Sequence, residues 1–185
     1  MHICYLSSSD IPSRAANSIH VMRMCQALAQ NGHCVELVAK HGEPSEGDVF
    51  AHYGIAPDFT IIRCKRPRFR KLLGDFQFAR DVAHLVRKQP WPHLFFARHI
   101  YSLASVAALR VPMMFEAHTP PVNILQRTVE GWVYRQPHFM RLIVISNALK
   151  SEYRRLFPWL PTAKLLVACD AADPLDSTAQ GPPDV

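Results

Sequence analysis

The feature that most constrains this chain is an alternation of short, almost continuously apolar runs with longer amphipathic stretches. The runs lie at residues 2–7, 34–39, 59–63, 93–97, 112–117, 141–145 and 164–168, and each reads as a strand. Helical periodicity falls between them at residues 18–31, 74–88, 101–110, 122–136 and 147–157. Strands that are apolar on both alternating faces need cover on both sides, which is the pattern of a parallel sheet. Strand, helix and strand in succession imply right-handed crossovers. The expected fold is therefore α/β, a Rossmann-like parallel sheet of about seven strands with helices on both faces. A length of 185 residues holds one such unit and not two full lobes. Residues 1–170 are assigned to it, and residues 171–185, rich in Pro, Ser, Gly and Asp, to an interdomain linker or frayed tail.

The helix at 18–31 carries a polar stripe of His20, Arg23, Gln26 and Gln30, with Val21, Met24, Cys25 and Leu28 turned inward. Asn17 or Ser18 is its expected cap, and Gly32 ends it. The helix at 122–136 is expected to pack through Val122, Leu125, Val129, Trp132 and Val133.

Several function classes drop out. The chain has only seven glycines and neither G-x-G-x-x-G nor G-x-x-x-x-G-K-[ST], so dinucleotide-dependent oxidoreductases and P-loop enzymes are disfavoured. Its five cysteines form no C-x-x-C pair, its histidines no H-x-x-x-H or H-x-x-E-H, and there is no D-x-D, so neither a metal nor a disulfide framework is expected. The sequence shows no cationic leader and no apolar run near the ~18 residues of a membrane span, so a cytoplasmic location is expected.

In an open parallel sheet, ligands bind beyond the carboxyl ends of the strands, near the point where strand order reverses. Four places in the sequence meet that rim. After the first strand, Ala15, Ala16 and Asn17 lead into a helix whose free N–H groups suit an anion; a sugar or phosphate contact and a plain connecting loop both fit. After the fourth strand stand Arg98 and His99, and after the sixth Ser146, which also has a sufficient role as a helix cap. The fifth strand ends in Phe115-Glu116-Ala117-His118 before Pro120-Pro121. His118 can donate and accept hydrogen bonds there, although a core histidine held by a backbone carbonyl fits the spacing as well.

The charge is uneven. Arg63, Lys65, Arg66, Arg68, Arg70 and Lys71 place six cations in nine residues, with no acid between Asp58 and Asp75. These six equal the whole net charge of +6. Followed by Leu72, Leu73 and Phe76, the segment reads either as a solvated loop or as a surface for anionic lipid at the inner face of a membrane. No recognition motif accompanies it, so nucleic acid is not an expected partner.

In order along the chain, Ala27-Leu28-Ala29-Gln30-Asn31-Gly32-His33, then Phe115-Glu116-Ala117-His118, then Val144-Ile145-Ser146-Asn147-Ala148-Leu149-Lys150 with Lys164-Leu165-Leu166-Val167 and Asp170 resemble elements of family 4 glycosyltransferases. The likeness implies the amino-terminal, acceptor-side lobe of a retaining GT-B enzyme that works without a metal or other cofactor. It implies that His118 faces the donor sugar across the cleft as the catalytic residue. It also carries a contact with acceptor or donor phosphate to Ala15, Ala16 and Asn17, while Arg98, His99, Glu116 and Ser146 are candidate substrate contacts by their place at the rim. Many relatives have Gly-Gly where this chain has Ala15-Ala16. The acceptor would be a sugar or a lipid-linked molecule, and the nucleotide sugar would be held by a C-terminal domain. The E-x7-E element of that domain is absent, since no two glutamates here stand eight apart. On this reading the chain alone is inactive, and an open cleft wall could pair with a second copy as a homodimer. The rival reading is a non-catalytic module of the same fold that docks a partner or an anionic membrane through its basic loop.

Overall fold

The computed structural model describes residues 1–42, 48–68 and 71–169. Seven strands, β1 (His2–Ile11), β2 (Cys34–His41), β3 (Thr60–Cys64), β4 (Leu94–Ala97), β5 (Met113–Ala117), β6 (Phe139–Val144) and β7 (Leu165–Val167), form one sheet in the order β3-β2-β1-β4-β5-β6-β7. Every pairing is parallel. Strand order reverses between β1 and β4, so the crevice rule places a site beyond the carboxyl ends of these two strands and their neighbour β5.

The central strands β1, β4 and β5 are buried on both faces, as their apolar runs require. On one face Ile3, Tyr5, Leu37 and Phe96 pack with Val21, Met22 and Cys25 of helix α1 (Ala16–Gln30). On the other, Leu6, Phe95, Phe115 and Leu142 meet α3 (Lys71–Val86), α4 (Ile100–Val106), α5 (Ile124–Tyr134) and α6 (Asn147–Leu156) through Phe78, Leu103, Val133 and Tyr153.

Three local outcomes differ from the sequence reading. First, β1 does not stop at Ser7. After an irregularity between Leu6 and Asp10 it resumes pairing, Asp10 with Lys40 and Ile11 with His41. Gly42 closes this extension: its N–H donates to the Ile11 carbonyl at 2.8 Å, and a Cβ there would collide with the Pro12 carbonyl oxygen, so only glycine permits the approach.

Second, α1 begins two residues early. Its cap is Ala15, which offers no side-chain acceptor, because the Ser18 hydroxyl donates instead to the Asp10 carbonyl at 2.9 Å and ties the helix start to the end of β1. Short α2 (Val49–Tyr53) reinforces this corner and is too brief to show periodicity in sequence. Its Tyr53 hydroxyl donates to the Ser13 carbonyl (2.9 Å) and accepts from the Ser13 N–H (2.7 Å).

Third, α5 packs inward through Val129 and Val133 as expected but not through the other three residues. Val122 precedes it 79% exposed, and Leu125 and Trp132 are also exposed, while Glu130, Gly131, Val133 and Tyr134 are buried. The inward face is set by a polar cluster: Gln126 Nε2 and the Tyr134 hydroxyl both donate to the Glu130 carboxyl, at 2.9 and 3.0 Å. Apolar periodicity alone could not find a face whose centre is a buried acid.

Candidate functional site

The site is organised by one carboxylate. Glu116 lies on β5, only 4% exposed. Its Oε1 accepts from His118 Nε2 at 2.5 Å and from His20 Nε2 at 3.1 Å, and Arg98 Nε stands 3.7 Å away. Its Oε2 accepts from the Tyr5 hydroxyl at 3.2 Å. The strand order explains the convergence. Tyr5 comes from β1, Arg98 from the end of β4 and Glu116 from β5, three adjacent strands at the switch point, while α1 lays His20 over them.

Burial by itself would raise the Glu116 carboxyl. The hydrogen bonds from His118 and His20 and the Arg98 guanidinium outweigh it and hold the group down at about 2, so it is ionised across the physiological range. Tyr5 is pushed well up, by burial and then by the Glu116 charge, and remains a donor.

An ionised carboxylate facing Nε2 fixes the tautomer of His118: Nε2 carries the proton, and in the neutral ring Nδ1 keeps its lone pair. His118 is therefore oriented by a charged side chain. It keeps 24% exposure at the rim, and its ring meets that of His20 edge-on with centroids 5.3 Å apart.

Among the described residues, His20, Glu116 and His118 form the group whose ligand atoms lie close enough together, within 4.8 Å, to hold a metal ion. The arrangement favours an internal hydrogen-bond network instead. Glu116 Oε1 already has two donors, and the neighbouring Arg98 guanidinium repels a dication.

The other sequence candidates separate. Arg98 joins the cluster, with its Nη1 buried and lacking a protein partner. The adjacent His99 points away. Its Nδ1 bonds the Ser102 hydroxyl at 2.7 Å, and its Nε2 lies 3.5 Å from Asp75, which is also 3.9 Å from Lys40. Burial pulls this imidazole below its ordinary value despite Asp75. Ala15, Ala16 and Asn17 are exposed at the start of α1, one turn before His20. Ser146 caps α6, accepting from the Leu149 N–H at 3.2 Å. Arg63, Lys65, Arg66 and Arg68 are exposed, whereas Arg70 and the side chain of Lys71 lie outside the described residues. So does the expected tail.

His20 is the participant that sequence reasoning missed. It falls in a polar stripe that reads as solvated, and only its separation from Glu116 in space, not in sequence, gives it a role. The one available signal was its place on the second turn of a helix that follows β1.

An apolar cavity of about 520 Å³ opens beside this cluster. Ile3, Met24, Leu94, Phe96, Met114 and Ile143 line it, with His20 and Glu116 on its wall.

A seven-stranded parallel sheet of this order with helices on both faces matches one lobe of the GT-B architecture, and solved structures that share the fold are glycosyltransferases. A glycosyltransferase from Rickettsia africae superposes with a TM-score of 0.63 at 10% identity, over 97% of this chain and 46% of that one. Acinetobacter baumannii MurG gives 0.51 at 8% identity, over 80% and 42%. A Polygonum tinctorium UDP-glucosyltransferase capable of glucosylating indoxyl gives 0.53 at 9%, over 98% and 55%. The chain thus spans about half the length of the solved structures it matches. Within that architecture the chain belongs to Glycosyltransferase Family 4, whose profile matches residues 18–172. No curated protein matches it.

Proposed function

We propose that this chain is the acceptor-side lobe of a retaining glycosyltransferase that moves a sugar from a nucleotide sugar to a sugar or lipid-linked acceptor. The observation that carries the reading is His118, held by ionised Glu116 at the switch-point rim with Arg98 and His20 beside it. In this reading His118 meets the donor sugar across the cleft. Glu116 fixes its ring, and Arg98 contributes fixed positive charge where a polar substrate replaces water. Ala15, Ala16 and Asn17 present the start of α1 to substrate oxygen atoms. The nucleotide diphosphate is gripped by a donor-binding half. Preorganised positive charge on a leaving group supplies much of the rate in such transfers, so this chain alone is inactive.

The test is transfer by the two-lobed enzyme. His118→Ala lowers turnover by roughly 10²-fold or more, the typical worth of a positioned polar group at a reacting centre, a loss measured in the folded fraction and beyond the stability lost with its bond to Glu116. A variant that melts far earlier, yet turns over normally in its folded fraction, would mark His118 as structural. Titrating a nucleotide sugar into this chain alone should give no tight binding; micromolar affinity would misplace the donor site.

A further inference from the structure

The exposed face of α3 continues the basic segment. Leu73, Phe76 and Arg80 recur at helical spacing on one side of the helix, and with Lys65, Arg66 and Arg68 they line a single shallow depression. Leu73 is 64% exposed and Phe76 43%, the latter also touching Tyr101 with ring centroids 5.1 Å apart. Asp81 is the acid in this lining, and Arg80 holds it at 3.0 Å. Part of the cationic set is anchored: Arg66 bonds the His41 carbonyl at 3.0 Å and approaches Asp10 at 3.4 Å. The chain from Lys65 to Arg68 is thereby pinned at the carboxyl end of β3.

A solvated basic loop explains the cations but not the leucine and phenylalanine standing among them. A nucleic-acid surface would use the charge, yet it has no use for a bare leucine and would favour aromatic rings stacked in a groove. Cations ringing apolar side chains match an interface between anionic headgroups and acyl chains, where the charge is drawn to the surface and the apolar groups leave water.

We infer that Lys65, Arg66, Arg68 and Arg80, with Leu73 and Phe76 between them, form a docking surface for an anionic lipid bilayer. The patch follows β3 and His118 follows β5, four strand spacings away at about 4.8 Å each, so the two sit roughly 20 Å apart on the same carboxyl rim. Docking therefore presents that rim to the membrane. This inference rests on the patch and not on the transferase reading, so its failure leaves that reading untouched.

The experiment is flotation of this chain with vesicles of phosphatidylcholine alone or with phosphatidylglycerol added. Binding is expected to the anionic vesicles only and to weaken steeply with salt. Lys65→Ser with Arg68→Ser should lower the partition coefficient by about 25-fold, at roughly fivefold per cation. Leu73→Ser with Phe76→Ser should lower it at unchanged salt dependence. Far-UV circular dichroism checks that both double variants remain folded, and a variant that unfolds is replaced by its single substitutions. Equal partition into the two vesicles would overturn the inference. So would insensitivity to both pairs of substitutions, or binding to an oligonucleotide that outcompetes the vesicles at the same salt.

Discussion

Replacing Glu116 by Gln keeps the shape of the side chain and removes its charge, so it isolates what the carboxylate does for the lobe. The folded carboxyl is held at about 2 against an ordinary 4.5. At 1.36 kcal/mol per unit that is worth about 3 kcal/mol of stability. A folded value below the unfolded one fixes the sign. The contribution is complete above the unfolded value and is lost as pH falls through the folded one. On that titration, roughly 2 kcal/mol disappears between pH 5 and pH 3.

The assay is urea unfolding of both chains, followed by circular dichroism at pH steps across that interval. Buried His99 adds acid sensitivity to both proteins and cancels in the difference. The wild-type advantage over Glu116→Gln should shrink by about 2 kcal/mol from pH 5 to pH 3 with similar urea slopes. A difference that stays flat would show that the carboxylate is not held by His118, His20 and Arg98, and the orientation argument for His118 would fall with it.

Glu130 should behave in the opposite sense. Burial raises it to about 7 despite the bonds from Gln126 and Tyr134, so stability relative to Glu130→Gln should decline as pH rises from about 4.5 to 7 in the same urea assay. Ser146→Ala removes the cap on α6 and should cost about 1 kcal/mol in thermal or urea unfolding. A loss of transfer activity in the two-lobed enzyme well beyond what that destabilisation explains would show that Ser146 also meets substrate.

The sheet was legible because its signal is local and strong: each parallel strand is a dense apolar run, and all seven appeared within a few residues of their true bounds. Caps and faces were harder. Asn17 and Ser18 look like caps for α1, yet Ser18 is drawn to the Asp10 carbonyl by a strand extension invisible in composition. The face of α5 was half legible: Val129 and Val133 pack inward, but its centre is Glu130, a residue that propensity assigns to water. The site was half legible. His118, Glu116 and Arg98 all follow or end strands and so could be placed at the rim. Their convergence on Glu116 could not be read, since nothing in the chain says that Tyr5, His20 and Arg98 arrive at the same carboxylate from three directions.

The Glu116 hub draws its partners from positions 5, 20, 98 and 118. His118 alone is local to Glu116, so a partly assembled lobe holds at most that pair, without Tyr5, His20 or Arg98. The carboxylate acquires its full set of partners only when the middle of the sheet has zipped and the first helix has been laid across it. Competence at the rim and completion of folding are therefore a single event, and damage at a distant strand pair would reach the histidine without touching any of its neighbours.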